Sequence, residues 1–209
     1  MSTKENWKEI TTVIIAALVL GLTVAYKDHE IFYYAAISFL IILTLNVLVK
    51  KAVGHYFEIG VRTKFWTWYQ FGLRKDWHFK KPVPMMWLPL ILVLFTKGFF
   101  LWLGILEFDV EAKTERVSRR HGLYRFTEVT EWHMAWIATW ALAANFALAI
   151  IAYIVGFELF AKLIISFIAW SMVPLARFDG AKIFYASRAF WIIAFAIAMI
   201  ILGWGLTIV

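Results

Sequence analysis

Cysteine is absent from the 209 residues, which excludes disulfides and thiol chemistry and leaves the redox compartment open. Proline occurs only four times. No linker, fixed-period repeat or low-complexity tract is present, so one domain over residues 1–209 is expected. Charge is also scarce. Asp, Glu, Lys and Arg make up 17% of the chain against 63% hydrophobic residues, and the mean hydropathy is +0.74. That balance excludes an ordinary soluble domain and is that of an all-α polytopic membrane protein.

A helix needs about 20 residues to cross a hydrocarbon core. Five stretches approach this length: Ile10–Tyr26, Ile31–Val49, Trp132–Val155, Leu159–Leu175 and Ala189–Val209. The second is expected to continue through Tyr56. Lys4 and Lys8 precede the first, and no small-residue cleavage site occurs before Lys27, so an uncleaved first helix is expected. A sixth apolar stretch, residues 83–106, is broken by Pro89, Lys97, Gly98 and Gly104.

The net charge of +7 settles how that stretch is read. If residues 83–106 span, the 21 basic residues divide almost evenly between the two sides. If the stretch dips in and returns, all but Lys27 and Lys162 share one side, with Lys97 uncounted. The positive-inside rule favours the second arrangement: five spanning helices, a re-entrant or interfacial segment, and a cytoplasmic N-terminus. Basic residues beside spanning helices are the usual topology signal, so no nucleic-acid partner is expected. Residues 61–81 alternate cations with aromatics, and Arg62, Lys64, Trp66 and Trp68 share a face by period two, as in an extended segment along the interface. Glu107–Glu131 is the polar section, read as a cytoplasmic loop or short hairpin.

The most informative residues are 171–180, Ser-Met-Val-Pro-Leu-Ala-Arg-Phe-Asp-Gly. A carboxylate at membrane depth is costly, so Asp179 needs a partner or a task. Pro174 followed at this spacing by Asp179-Gly180 resembles the Asn-x-x-Pro-x-x-x-Leu-Asp-Gly motif of the site-2 proteases, intramembrane zinc metallopeptidases, with Ser171 for Asn and Phe178 for Leu. The resemblance implies a site-2-protease-like core in which Asp179 sits at the zinc-ligand position. The family's His-Glu-x-x-His helix has its counterpart at Lys51-Ala52-Val53-Gly54-His55, and its Ala-Gly-Pro-x-x-Asn segment at Trp140–Asn145.

Lys51 and Ala52 stand where zinc hydrolysis requires a ligand and a general base. The resemblance therefore implies a vestigial site of Lys51, Ala52, His55, Asn145, Asp179 and Gly180, with no cofactor. A Lys51–Asp179 ion pair is expected in place of the metal, with His55 hydrogen-bonding to it; Arg177 and Lys182 are competing partners for Asp179. The alternative is a rearranged zinc site of His55, Glu58 and Asp179, with His133 as a further candidate. Three functions follow. The leading one is a non-catalytic membrane protein that binds or scaffolds a partner's transmembrane segment. The others are an active metallopeptidase and a structural subunit of a larger membrane complex or a transporter.

Overall fold

The computed structural model describes residues 3–70, 78–112, 129–175 and 177–207. Helices dominate. α1 (Thr3–Val24) and α2 (Phe32–Tyr56) form an antiparallel hairpin through a short 3-10 turn at His29–Ile31, which Asp28 caps by accepting from the Glu30 amide. α3 (Leu88–Phe95) is a short helix against α1. α4 (Glu131–Val155) packs on α2, α5 (Glu158–Ser171) and α6 (Asp179–Ala186), and α7 (Arg188–Thr207) lies against α5 and α6.

The helix ends follow from local sequence. Thr130 caps α4 in a reciprocal box with His133, and Gly156 closes it in the left-handed conformation at φ 92°. Ser187 separates α6 from α7 and accepts from the Phe190 amide. Leu20 of α1, Phe39, Ile42 and Leu43 of α2, Ile137 and Ala138 of α4 and Ile164 of α5 form the fully buried centre.

Among the described residues four helices are long and apolar enough to cross a membrane: Asn6–Val24, His29–Tyr56, Glu131–Val155 and Arg188–Gly205. The span expected at Leu159–Leu175 is realised as α5, whose 14 residues rise only about 21 Å, short of the roughly 30 Å hydrocarbon core. Ser171 and Pro174 stop it. Residues 83–106 form no spanning helix: the eight residues of α3 rise about 12 Å before the chain turns back at Lys97 and Gly98, both at positive φ.

The chain is not all-α, and this corrects the expected class. β1 (Ile59–Phe65) pairs antiparallel with β4 (Leu106–Ala112), and β2 (Thr67–Gln70) with β3 (His78–Pro84). Trp66 joins the ribbons: its amide donates to the Ile105 carbonyl, and its carbonyl accepts from Met85. β1 alternates in burial along its length. Ile59, Val61 and Phe108 are buried in the core, while Arg62 and Lys64 face Glu107, Asp109 and Glu111 on the other side. Residues 113–128, most of the expected polar loop, lie outside the described residues.

Candidate functional site

Asp179 is the first residue of α6, where the positive end of the helix dipole favours a carboxylate. The chain reaches it through Phe178, whose ring lies 4.9 Å from that of Trp66 and against Gly104, where a Cβ would come within 2.9 Å of the ring. Gly180 has no freedom to change, because a Cβ there would overlap the Met172 carbonyl at the end of α5. Close approach of α6 to the end of α5 therefore requires glycine at position 180.

The partner of Asp179 is Lys50. Its ammonium lies 2.8 Å from each carboxylate oxygen, and the side chains are only 8% and 6% exposed. At that burial the charges cannot be left to water, and each requires the other. The Phe108 ring lies 4.6 Å from the same ammonium.

The expected Lys51–Asp179 pair is corrected by one residue. One position on a helix is a rotation of about 100°. That step turns Lys51 away to Glu9 of α1, with which it forms an ion pair, and sends His55 to the exposed side of α2. Ala52 is exposed as well. His55 is therefore not the third member of the site.

The residue one turn beyond Lys50 on the buried face is Gly54. A Cβ there would lie 2.5 Å from Val61 Cγ2 and 3.0 Å from the Ile59 carbonyl oxygen, so strand β1 fills the space that a second ligand would need. Among the described residues no group of three His, Asp or Glu side chains could hold a metal ion. The residues present do not fit zinc: Lys50 occupies both oxygens of Asp179, and His55 is turned out.

Glu58 lies beyond the end of α2 at φ 57°, and His133 caps α4 with its ring 5.2 Å from that of Phe57. Neither joins the cavity beside Asp179. Asn145 is fully buried in α4, but its side-chain oxygen and nitrogen have no hydrogen-bond partner among the described residues, and it too lies outside that cavity. Arg177 pairs with Asp109 instead of Asp179, at 3.6 Å.

The cavity beside the pair measures about 20 Å³ and is lined by Asn46, Thr63 and Ser171 together with Lys50 and Asp179. The Asn46 amide nitrogen and the Thr63 hydroxyl are buried without a hydrogen-bond partner among the described residues. The rest of the wall is apolar, but a cavity of that size with these polar groups meets the requirements of a buried water, which takes roughly 10–15 Å³ and two to four polar partners.

The chain matches no family model, no curated protein and no solved structure.

A second layer of charge surrounds the pair. Lys182 of α6 donates to the Phe108 carbonyl and lies 3.1 Å from the Phe108 ring centre. Burial pushes its ammonium down to about 7, partly offset by Asp179 and reinforced by Lys50. Glu107 is buried on the charged face of the ribbon, and burial raises its carboxyl above the usual range against the pull of Lys64. For Lys64 burial works downward, yet Asp109 at 2.6 Å and Glu107 at 3.3 Å together outweigh it and the ammonium is raised.

Sequence reasoning missed Lys50, Asn46, Thr63 and Glu9. One signal was available: Asn46 and Lys50 stand at i and i+4, so the polar pair shares a face of an otherwise apolar helix, and polar groups at membrane depth turn inward.

Proposed function

We propose that this chain is a non-catalytic, site-2-protease-like membrane protein that binds or scaffolds a membrane partner. The observation that carries the reading is the Lys50–Asp179 ion pair. It supplies a fixed positive charge against the carboxylate that the sequence resemblance assigns to a metal, and it leaves no open coordination position. Peptide hydrolysis by zinc needs three protein ligands, a bound water and a base. Here the aspartate is held by an ammonium, and the helix position one turn further on is closed by β1.

A partner is favoured by α7. Only 11% of its apolar window is buried, against 39–44% for the three other candidate spans. Ile193, Ala196, Ile200 and Gly203 follow helical spacing on its open side, and a Cβ at Gly203 would meet no other part of the described residues within 4 Å. A partner's transmembrane helix would cover this face. The division of basic residues supports a cytoplasmic N-terminus, with both ribbons on that side.

Purified protein should carry no stoichiometric zinc and leave membrane peptides uncleaved. A photo-crosslinking residue at Ile193 or Ile200 should give one discrete adduct in membranes, whereas the same group at Ile154 of α4 gives none. One zinc per chain with peptide cleavage would overturn the reading, as would identical crosslinking from α7 and α4. A cysteine at Lys80 should label only from the cytoplasmic side.

A further inference from the structure

α4 and α7 both pack on α5 and meet each other through aromatic pairs at two levels. Trp136 lies 6.2 Å from Phe190, and Tyr153 lies 5.3 Å from Trp204, between ring centres. Between these pairs runs an apolar groove in two adjoining sections, about 190 and 220 Å³ in volume, which share Phe146 and Ile201. Ala161, Ile165 and Ile168 of α5 line it.

From Trp136 to Tyr153 the helix rises about 26 Å, close to the roughly 30 Å of a hydrocarbon core. Aromatic rings at both ends suit the two bilayer interfaces. The slot between these ends is lined almost wholly by apolar side chains. An extended hydrocarbon chain suits it.

The end of the groove near Tyr153 and Trp204 carries one acid and one base. Glu158 and Lys162 both line it, one turn apart on α5. Despite their i, i+4 spacing, neither takes part in an ion pair among the described residues. Two opposite charges with Cβ atoms about 5–6 Å apart offer an ammonium to a phosphate and a carboxylate to an amine.

We propose that the α4–α7 groove binds one polar lipid with a zwitterionic phosphate-and-amine headgroup. One acyl chain lies between Phe146 and Ile201, the phosphate meets Lys162, and the headgroup ammonium meets Glu158. The site is separate from the Lys50–Asp179 pair and does not depend on the reading of that pair.

The test uses the full chain, delipidated in mild detergent and titrated with phosphatidylethanolamine or phosphatidylglycerol, with bound lipid counted by native mass spectrometry. One phosphatidylethanolamine should be retained in preference to phosphatidylglycerol. Lys162→Gln should weaken retention roughly tenfold, the weight of one charge-assisted hydrogen bond, and Glu158→Gln should remove the preference between the two lipids. Gly205→Leu should abolish retention by filling the groove; a Cβ at Gly205 makes only ordinary contact with Ile165, at 3.5 Å.

As a second measurement that leaves the packing intact, Ala143→Cys in this cysteine-free chain should react with a maleimide and be protected by phosphatidylethanolamine. Equal retention of both lipids, undiminished by Gly205→Leu and without protection of Ala143→Cys, would show only a lipid annulus and overturn the site. A dimer lost on Gly205→Leu would assign the groove to a second copy and also overturn it.

Discussion

Thr63 of β1 stands directly opposite Phe108 of β4, and the backbone groups of this pair that turn away from the ribbon are held by side chains of opposite sign. Glu9 accepts from the Thr63 amide at 3.0 Å, and Lys182 donates to the Phe108 carbonyl. A two-stranded ribbon leaves both edges unpaired, and an open edge invites a further strand. Here each edge is closed at the same rung by a charge brought from a helix. Because Glu9 also pairs with Lys51, and Lys182 sits one turn after Asp179, the same contacts fasten the ribbon to α1, α2 and α6.

The buried pair gives the first prediction. Removing one partner of a buried ion pair leaves an uncompensated charge and costs about 3–5 kcal/mol, whereas replacing both by apolar residues is near neutral. Lys50→Met or Asp179→Leu alone should therefore lower the thermal midpoint sharply, and the double variant should recover most of the loss. Lys51→Met should cost less, because the lost side chain is 35% exposed and Glu9, though buried, keeps the Thr63 amide as a donor. Equal losses from Lys50→Met and Lys51→Met, with no recovery in the double variant, would contradict the pairing.

How much of this was legible in sequence depends on where the signal resides. Long apolar helices announce themselves by composition alone: the second was expected to run through Tyr56, and α2 ends there. α5 did not, because residues 159–175 are apolar enough to span but Ser171 and Pro174 end the helix early. The ribbons were visible only as an extended segment at residues 61–81. Their partner strand β4 lies about 45 residues beyond β1, and such pairing is not a local property of sequence. The error at Lys51 has a different origin. α2 is apolar nearly all round, so its pattern does not fix which side faces the core, and a motif laid over it can slip by one residue. Gly180 was legible because a Cβ there would overlap the Met172 carbonyl, and Asp179 because a carboxylate in an apolar stretch needs a partner.

Lys182 gives a pH dependence. Its folded value of about 7 is depressed from the usual 10.5, mainly by burial. The folded state therefore binds fewer protons than the unfolded state between those values, and stability rises with pH across that window. The destabilisation is fully present below about pH 7 and fades towards pH 10.5. Lys182→Met removes the titration along with the hydrogen bond to Phe108, so the informative quantity is the change with pH. The midpoint of the variant minus that of the unmodified chain should be most positive at pH 6 and should fall steadily to pH 10. A difference that is flat with pH would show that Lys182 titrates normally.

Gly54 decides whether a metal site can be rebuilt. Counting from Lys50, the ligand-base-ligand pattern would need Lys50→His, Lys51→Glu and Gly54→His, yet even a methyl group at position 54 would lie 2.5 Å from Val61 Cγ2. Gly54→Ala alone should test this crowding. In an open helix the change gains about 0.8–1.0 kcal/mol; here overpacking should cost about 1–3 kcal/mol, and Val61→Ala should restore the loss. The triple variant should then bind no zinc, since an imidazole needs far more room than a methyl group. Counting from Lys51 fails for another reason: in Lys51→His with Ala52→Glu, the first side chain points towards Glu9 and the second to the exterior, neither towards Asp179. Stoichiometric zinc in either rebuilt form, measured by elemental analysis on folded protein, would mean that β1 yields to a ligand and that Asp179 can exchange its lysine for a metal.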